Sequence, residues 1–463
     1  MPQALNPADR SSLVAETGPV NMAMAGVIIA EGGPGVSAAA LSQRIAERIH
    51  LLPRYRQRLR EPRIGVIQPV WIDDEHFDLD WHVRSSRLPE PGGDAELGAW
   101  VAAEASRKMD RSRPLWELHV IEGLAGDRVA IVPKMHHALA DGMGAVGAAM
   151  LLVDPTPEPI PIDPPEEEWR PRSYDARRHL VKIASGSVSR AQGIAIRATG
   201  RLLEADAASL AGDAARGADL IRALSRRHPA PPALPLNRPI SPNRSYGLAR
   251  ASLDVIKRAA KAQGGTVNDG ILAAVAGMLR GYLKEAGIDA EGVGKDPVAL
   301  VPVSVRGEGD GQLGNRISVV LVDLPAAEPD PAARIRIVTE RMEAIKGSAE
   351  IAAGALRVDM IGFAPPLFAS AMALAPGGGG AFNLVVSNVP GPQEPIYVNG
   401  SRVLAVHPVV PLNPADQGLN VGVFSYDGGV FFGLSADRDL DPPIGRAVAA
   451  LEAAIEELIA LAT

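Results

Sequence analysis

Two proline-rich stretches divide this chain of 463 residues and constrain its fold more than any other sequence feature. Seven prolines lie between Asp154 and Pro171, and further prolines recur between Pro229 and Pro242. Because proline fixes φ and has no backbone N–H, both stretches should be extended linkers. The pattern predicts an N-terminal domain, a connecting segment and a C-terminal domain over residues 1–154, 155–244 and 245–463.

Hydrophobic periodicity predicts that strands and helices alternate on both sides of the connecting segment. In the N-terminal part, Ser37 should cap a helix, and Phe77–Val83 alternates apolar and polar residues as a half-buried strand does. The other elements predicted there are strands at Val20–Ala30 and Val129–Pro133, and helices at Ala95–Met109 and after Asp141. In the C-terminal part, the predicted strands are Ala299–Val305, Ile317–Leu324, Phe382–Ser387, Leu419–Ser425 and Val430–Ser435, and the predicted helices are Asn268–Ala286, Ala332–Lys346 and Ile444–Leu461. This mixture indicates an α/β or α+β class with mixed sheets flanked by helices.

Composition excludes several classes of function. The formal net charge of −7 argues against a nucleic-acid-binding protein. The absence of cysteine excludes disulfides, thiolate metal ligands and a cysteine nucleophile. No basic region precedes the first apolar run, so no signal peptide is predicted. Because prolines interrupt the uncharged stretch Met360–Gly380, we expect no membrane span and a cytoplasmic chain that binds membranes at most peripherally.

The most informative motif is a pair of histidines, His136 and His137, followed by Asp141 and Gly142. It comes after a predicted strand and before a predicted helix, where α/β proteins usually assemble their sites. One imidazole can act as a general base near neutral pH, while Asp141 holds the turn in shape. Two other interpretations stay open at this point: a metal site, and a histidine pair with a purely structural role.

A second motif, Asn268-Asp269, opens a predicted helix after Thr266. The pattern is typical of an N-terminal cap, in which Asp269 also suits the helix dipole. In the functional interpretation, Asn268 donates a hydrogen bond to a developing oxyanion. From the residues alone, the capping interpretation is favoured.

The histidine motif, together with Arg113-Pro114-Leu115-Trp116 upstream of it, resembles the bacterial wax ester synthase/diacylglycerol acyltransferase family. The other segments that resemble the family follow in its order along the chain: 52–59, 71–82, 236–241, 267–269, 302–306, 314–316 and 387–392. The resemblance implies two domains of the coenzyme-A-dependent acyltransferase fold with a channel between them. The family's opening segment is recognisable at 5–9, but Ser12-Leu13-Val14 lacks the usual aromatic residue.

The resemblance also implies a reaction, in which a fatty acyl group passes from acyl-coenzyme A to diacylglycerol or a long-chain alcohol. His137 would be the base. Independently of the resemblance, we expect Asp141 to shape the turn and to pair with an arginine such as Arg306 or Arg316. Asn268 would help to stabilise the oxyanion, and Trp116 would form part of the wall of the site. No metal or cofactor is expected, because acyl-coenzyme A is a substrate. The alternatives are an amide-forming condensation enzyme and a non-catalytic protein that binds lipid or coats lipid droplets.

The connecting segment has a charge opposite to that of the chain as a whole. From Trp169 to His228 there are twelve Lys/Arg and five Asp/Glu, and apolar residues recur there at helical spacing. Such a segment is typical of attachment to an anionic membrane or a lipid droplet. A solvated surface explains the same pattern equally well.

Overall fold

The computed structural model describes residues 3–5, 7–61, 69–139, 151–174, 230–305, 316–346, 381–412 and 416–462. Two six-stranded sheets form its framework, and a three-stranded sheet of order β1-β4-β3 lies beside them. The strands are β1 Gln3–Ala4, β2 Ala23–Glu31, β3 Gln57–Arg60, β4 Val70–Asp73, β5 Val83–Arg87, β6 Trp116–Leu124, β7 Arg128–His136, β8 Arg244–Ser252, β9 Val298–Val305, β10 Arg316–Asp323, β11 Leu384–Pro390, β12 Tyr397–Val398, β13 Ser401–Val409, β14 Leu419–Tyr426 and β15 Gly429–Asp437. The α-helices are Pro7–Ala15, Ala38–Arg48, Leu79–His82, Asp94–Ser106, Leu253–Ala262, Val267–Glu285, Pro331–Lys346 and Ile444–Ala462.

The first six-stranded sheet has the order β12-β13-β2-β7-β6-β5. Its one parallel pair is β5 with β6, and the other neighbours are antiparallel. The helix Ala38–Arg48 begins at Ser37, whose hydroxyl accepts a hydrogen bond from Ala40 N as the sequence predicts. That helix buries Leu41 and Ile45 in the same core as the strands.

The second sheet has the order β10-β9-β11-β14-β15-β8 and mixes parallel and antiparallel pairs. The helix Val267–Glu285 is buried along most of its length. Most of its own residues are small or aliphatic, so several of its faces can pack into the core. It packs with the helix Ile444–Ala462 and shares one core with the strands of this sheet. Burial of so much apolar surface is the main stabilising contribution on this side of the molecule.

Strands β12 and β13 belong to the first sheet, although they come from the segment predicted as the C-terminal domain. Side chains also connect β13 to the second sheet. Nδ1 of His407 on β13 lies 2.9 Å from the carbonyl oxygen of Phe432 on β15, and the hydroxyl of Tyr246 on β8 donates to the carbonyl of Pro408 on β13. The C-terminal part of the chain therefore completes the sheet that carries the histidine motif. The domain boundaries at 154 and 244 stay a prediction.

Most predicted elements are confirmed as to type, with ends that differ by a few residues. The prediction of a strand over Phe77–Val83 is wrong for all but its last residue. Asp78 accepts a hydrogen bond from Asp80 N and caps the one-turn helix Leu79–His82, and the strand begins only at Val83. The local hydrogen bond of the Asp78 side chain thus outweighs the alternating pattern.

Candidate active site

The histidine pair lies where β7 leaves the first sheet. His136 is the last residue of β7; it pairs with Ala23 on β2, and its N–H donates to the carbonyl of Leu115. The backbone N–H of His137 donates to the carbonyl of Met22. Both neighbouring strands therefore fix the backbone of the pair, at the strand end where the sequence predicts it.

His136 is fully buried, and both of its ring nitrogens face protein groups. Nδ1 accepts a hydrogen bond from Ala138 N, so the ring proton of the neutral form lies on Nε2, 3.5 Å from Oε1 of Glu16. Burial alone would raise the pKa of Glu16, but His136, the N–H of Met22 and the guanidinium of Arg111 lower it to about 2. Glu16 is thus an ionised carboxylate that holds His136 in place.

His137 has a different environment. Its side chain is only partly buried, and Nδ1 lies 3.2 Å from Oγ of Ser12. Burial and the neighbouring His136 lower the pKa of His137, while a hydrogen bond to its own backbone carbonyl opposes them. The imidazole is therefore neutral near neutral pH and can accept a proton there.

Several sequence predictions fall outside the described residues. They concern Asp141 and Gly142, the helix predicted after Asp141, and Arg306. The roles predicted for these residues stay predictions. The uncharged stretch Met360–Gly380 and most of the basic connecting segment also lie outside the described residues.

The structure brings Asn268 together with a residue that sequence reasoning missed. Nδ2 of Asn388, near the end of β11, donates to Oδ1 of Asn268 at 3.1 Å. Because Oδ1 of Asn268 faces Asn388, its Nδ2 points elsewhere and can donate to another acceptor. Asp269 has a capping role, because its carboxylate accepts hydrogen bonds from both N and Oγ1 of Thr266. Within the described ranges, no side-chain hydrogen bond joins Asn268 to the histidine pair.

Trp116 begins β6, next to the strand end that carries the histidines. It is buried, its Nε1 donates to the carbonyl of Tyr55, and its ring stacks on His82 with 4.4 Å between ring centroids. Burial is the main cause that lowers the pKa of His82 to about 4, so this imidazole is neutral. Trp116 therefore stiffens the start of β6, and its role as a wall of the site stays a prediction.

A second cluster of polar side chains, buried except for Arg107, lies further from the end of β7. We call it the ion cluster: Glu104, Arg107, Glu117, His119 and Lys134. Three of its side chains, Glu104, Glu117 and His119, bring possible metal ligand atoms within 4.8 Å of one another. However, Nζ of Lys134 lies 2.7 Å from Oε1 of Glu104, and Arg107 contacts both carboxylates. These cations already neutralise the carboxylates and would repel a metal ion, so the geometry is that of an ion-pair network.

Comparison with protein families assigns both parts of the chain. The model of the wax ester synthase/diacylglycerol acyltransferase catalytic domain matches residues 5–271. The model of the WS/DGAT C-terminal domain matches residues 313–459. The chain belongs to the wax ester synthase/diacylglycerol acyltransferase family.

Individual proteins agree with this assignment. A probable diacylglycerol O-acyltransferase of Mycobacterium tuberculosis is 32% identical over 452 residues, covering 96% of this chain and 92% of the relative. The solved wax ester synthase/diacylglycerol acyltransferase of Marinobacter aquaeolei has a TM-score of 0.67 and 28% identity, with 99% of this chain and 100% of that chain covered. The starter condensation domain of rhizomide synthetase shares the fold at a TM-score of 0.59 and 15% identity, with 100% of this chain and 94% of that chain covered.

These comparisons confirm the predicted family and the predicted fold class. The molecule is a mixed α/β protein with two sheets flanked by helices, the fold of this acyltransferase family. The residues that sequence reasoning missed at the site are Ser12, Glu16, Arg111 and Asn388. The signal for Asn388 was the family-like segment 387–392. Ser12, Glu16 and Arg111 lie outside the segments that resemble the family, so no sequence signal pointed to them. Among the described residues, no helix combines the length and the apolar character needed to cross a membrane.

Proposed function

We propose that this chain transfers a fatty acyl group from acyl-coenzyme A to the hydroxyl of diacylglycerol or a long-chain alcohol, making triacylglycerol or a wax ester. The observation that carries the proposal is the neutral, partly exposed imidazole of His137 at the end of β7 in a chain of this family. The names of the relatives give the two acceptor classes.

In this mechanism, Nε2 of His137 removes the proton of the acceptor hydroxyl as its oxygen attacks the thioester carbonyl. The carbon–sulfur bond then breaks, and the thiolate of coenzyme A takes the proton from the imidazolium. The acyl group passes directly to the acceptor, so the step needs no covalent enzyme intermediate. It also needs no cofactor, because acyl-coenzyme A is consumed as a substrate.

Asn268 stabilises the oxyanion of this step in our proposal. Asn388 occupies its Oδ1, which leaves the two N–H groups of its amide as donors. Loss of one donor to an oxyanion typically lowers kcat by ~10²- to 10³-fold. We therefore expect Asn268→Ala to lower kcat to that extent with an unchanged thermal midpoint, because the cap is formed by Thr266 and Asp269. Wild-type kcat in this variant would exclude the role.

A further part of the proposal concerns the surface on which the substrates dissolve. We propose that the basic segment Trp169–His228 holds the chain peripherally on anionic membranes or lipid droplets. Its net charge is +7, whereas the net charge of the whole chain is −7. Co-sedimentation with vesicles of anionic phospholipid should fall as salt is raised. It should also fall when Arg177, Arg178, Arg226 and Arg227 are changed to Gln. Binding that responds to neither change would contradict this attachment.

The proposed reaction is tested by the release of free thiol from palmitoyl-coenzyme A. Purified protein is assayed with hexadecanol, with a diacylglycerol, with an amine acceptor and with no acceptor. We expect release that depends on either hydroxyl acceptor and that yields the matching ester. Release only with the amine would favour a condensation enzyme, and no acceptor-dependent release would favour a lipid-binding protein; either result would overturn the proposal.

A further inference from the structure

The helix Pro7–Ala15 brings one hydroxyl to the candidate base. Ser12 is 125 residues from His137 in the sequence, yet its Oγ lies 3.2 Å from Nδ1 of that ring. Ser12 is only 4% exposed, so little water can compete for this contact. It is therefore a contact that only the folded chain brings together.

The contact between Oγ and Nδ1 fits a definite direction once the role of the ring is given. A serine hydroxyl can donate to a ring nitrogen or accept from it. A base that uses Nε2 has its lone pair there, so Nδ1 carries the proton in the proposed function. Oγ of Ser12 then accepts the hydrogen bond from Nδ1–H.

We propose that Ser12 is a positioning residue for His137: its hydroxyl is a second acceptor for Nδ1–H, and it fixes the ring so that Nε2 faces the acceptor substrate. This role rests on the proposed function. As Nε2 takes the substrate proton, the ring becomes an imidazolium, and its Nδ1–H donates more strongly to Oγ. Ser12 therefore supports the base most at the moment when the base is charged.

The first test is kinetic and compares three variants with the parent. Ser12→Ala should lower kcat by about 3- to 10-fold, the value of one net hydrogen bond, with KM unchanged. It should also move the acidic limb of the kcat/KM profile to lower pH, because the imidazolium loses an acceptor. Ser12→Thr keeps a hydroxyl and should restore both. The control Ser42→Ala removes a hydroxyl at an exposed contact with Asp80 and should change neither.

The second test needs no turnover and so separates this role from the proposed function. Nitrogen-15 NMR of the histidine rings in the full chain, with His137 assigned by its loss in His137→Ala, reports which nitrogen is protonated. We expect Nδ1–H in the parent and in Ser12→Thr, and a mixed population or a lower titration midpoint in Ser12→Ala. Kinetics and ring signals in Ser12→Ala that match the parent would overturn the proposal. Equal losses of kcat in Ser12→Thr and Ser12→Ala would also overturn it, because that result would show that Ser12 acts only through packing.

Discussion

The same strand, β7, carries two buried polar regions with different consequences. The first is the ion cluster around Lys134, and the second is the histidine end, defined by Ser12, Glu16, Arg111, His136 and His137. Both lie in a core with little water, where an unpaired polar group is costly. They differ in what the histidine ring nitrogens face.

In the ion cluster, the ammonium of Lys134 donates to the carboxylate of Glu104 and to the carbonyls of Glu104 and Arg107. His119 lies 3.2 Å from Glu117. Lys134 thus has three acceptors for three donors. The charged side chains Glu104, Glu117, Arg107 and Lys134 each face an opposite charge, so this region is an ion-pair network.

At the histidine end, the two rings have different surroundings. His136 has Ala138 N at Nδ1 and Glu16 at Nε2. His137 has Ser12 at Nδ1, and within the described ranges Nε2 receives no hydrogen bond. Among the described residues, the unbonded Nε2 of His137, rather than buried charge as such, therefore distinguishes the reactive region.

The largest effect on stability is expected for Lys134→Met in the ion cluster. Removal of one partner from a buried charge pair typically costs about 3–5 kcal/mol. Glu104 keeps its charge without the ammonium, and the cation that remains beside it, Arg107, is exposed. The free energy of unfolding, measured in urea, should fall by that amount, while the acyl-transfer rate per folded molecule stays near that of the parent.

A matched control for Lys134→Met is Arg87→Met, which removes the cation of an exposed pair with Glu122. Such surface pairs contribute at most about 1 kcal/mol. Equal stability of Lys134→Met and the parent would show that the ion cluster does not stabilise the fold.

A smaller effect on stability is expected for Glu16→Gln at the histidine end. The variant loses the carboxylate that faces His136 and Arg111, so the free energy of unfolding near pH 7 should fall by about 1–3 kcal/mol. The pH dependence has a definite sign. The pKa of Glu16 is about 2 in the folded chain and near 4.3 when unfolded, so its contribution is complete above ~4.3 and is lost as pH falls toward 2.

The difference in stability between parent and Glu16→Gln should therefore shrink as the pH of urea titrations is lowered from 6 toward 3. The exposed carboxylate of Glu122 provides the control, because Glu122→Gln should change stability little at any of these pH values. If the difference in the free energy of unfolding between the parent and Glu16→Gln does not depend on pH, then His136 and Arg111 do not hold the Glu16 carboxylate ionised.

The sequence predicted those features that depend on neighbouring residues. The cap at Ser37, the capping box of Thr266 and Asp269, and the location of His136 and His137 at a strand end follow from local patterns, and the structure confirms them. The one local failure, at Phe77–Val83, arose where a capping aspartate competed with an alternating pattern.

Features that depend on distant pairings could not be predicted. Arg111 meets Glu16 across 95 residues, and Ser12 meets His137 across 125. The placement of β13 beside β2 joins the two ends of the chain in one sheet. No local propensity encodes such contacts, because register and side-chain partners are decided when the sheets assemble.

The central claim, that the free nitrogen of His137 carries the chemistry, is tested most directly by His137→Ala. Its acceptor-dependent release of thiol from palmitoyl-coenzyme A and its thermal unfolding are measured beside those of Lys134→Met. We predict that His137→Ala loses ~10²- to 10⁴-fold in rate and keeps the thermal midpoint of the parent, while Lys134→Met shows the opposite pattern. A His137→Ala protein that is as active as the parent would contradict the account.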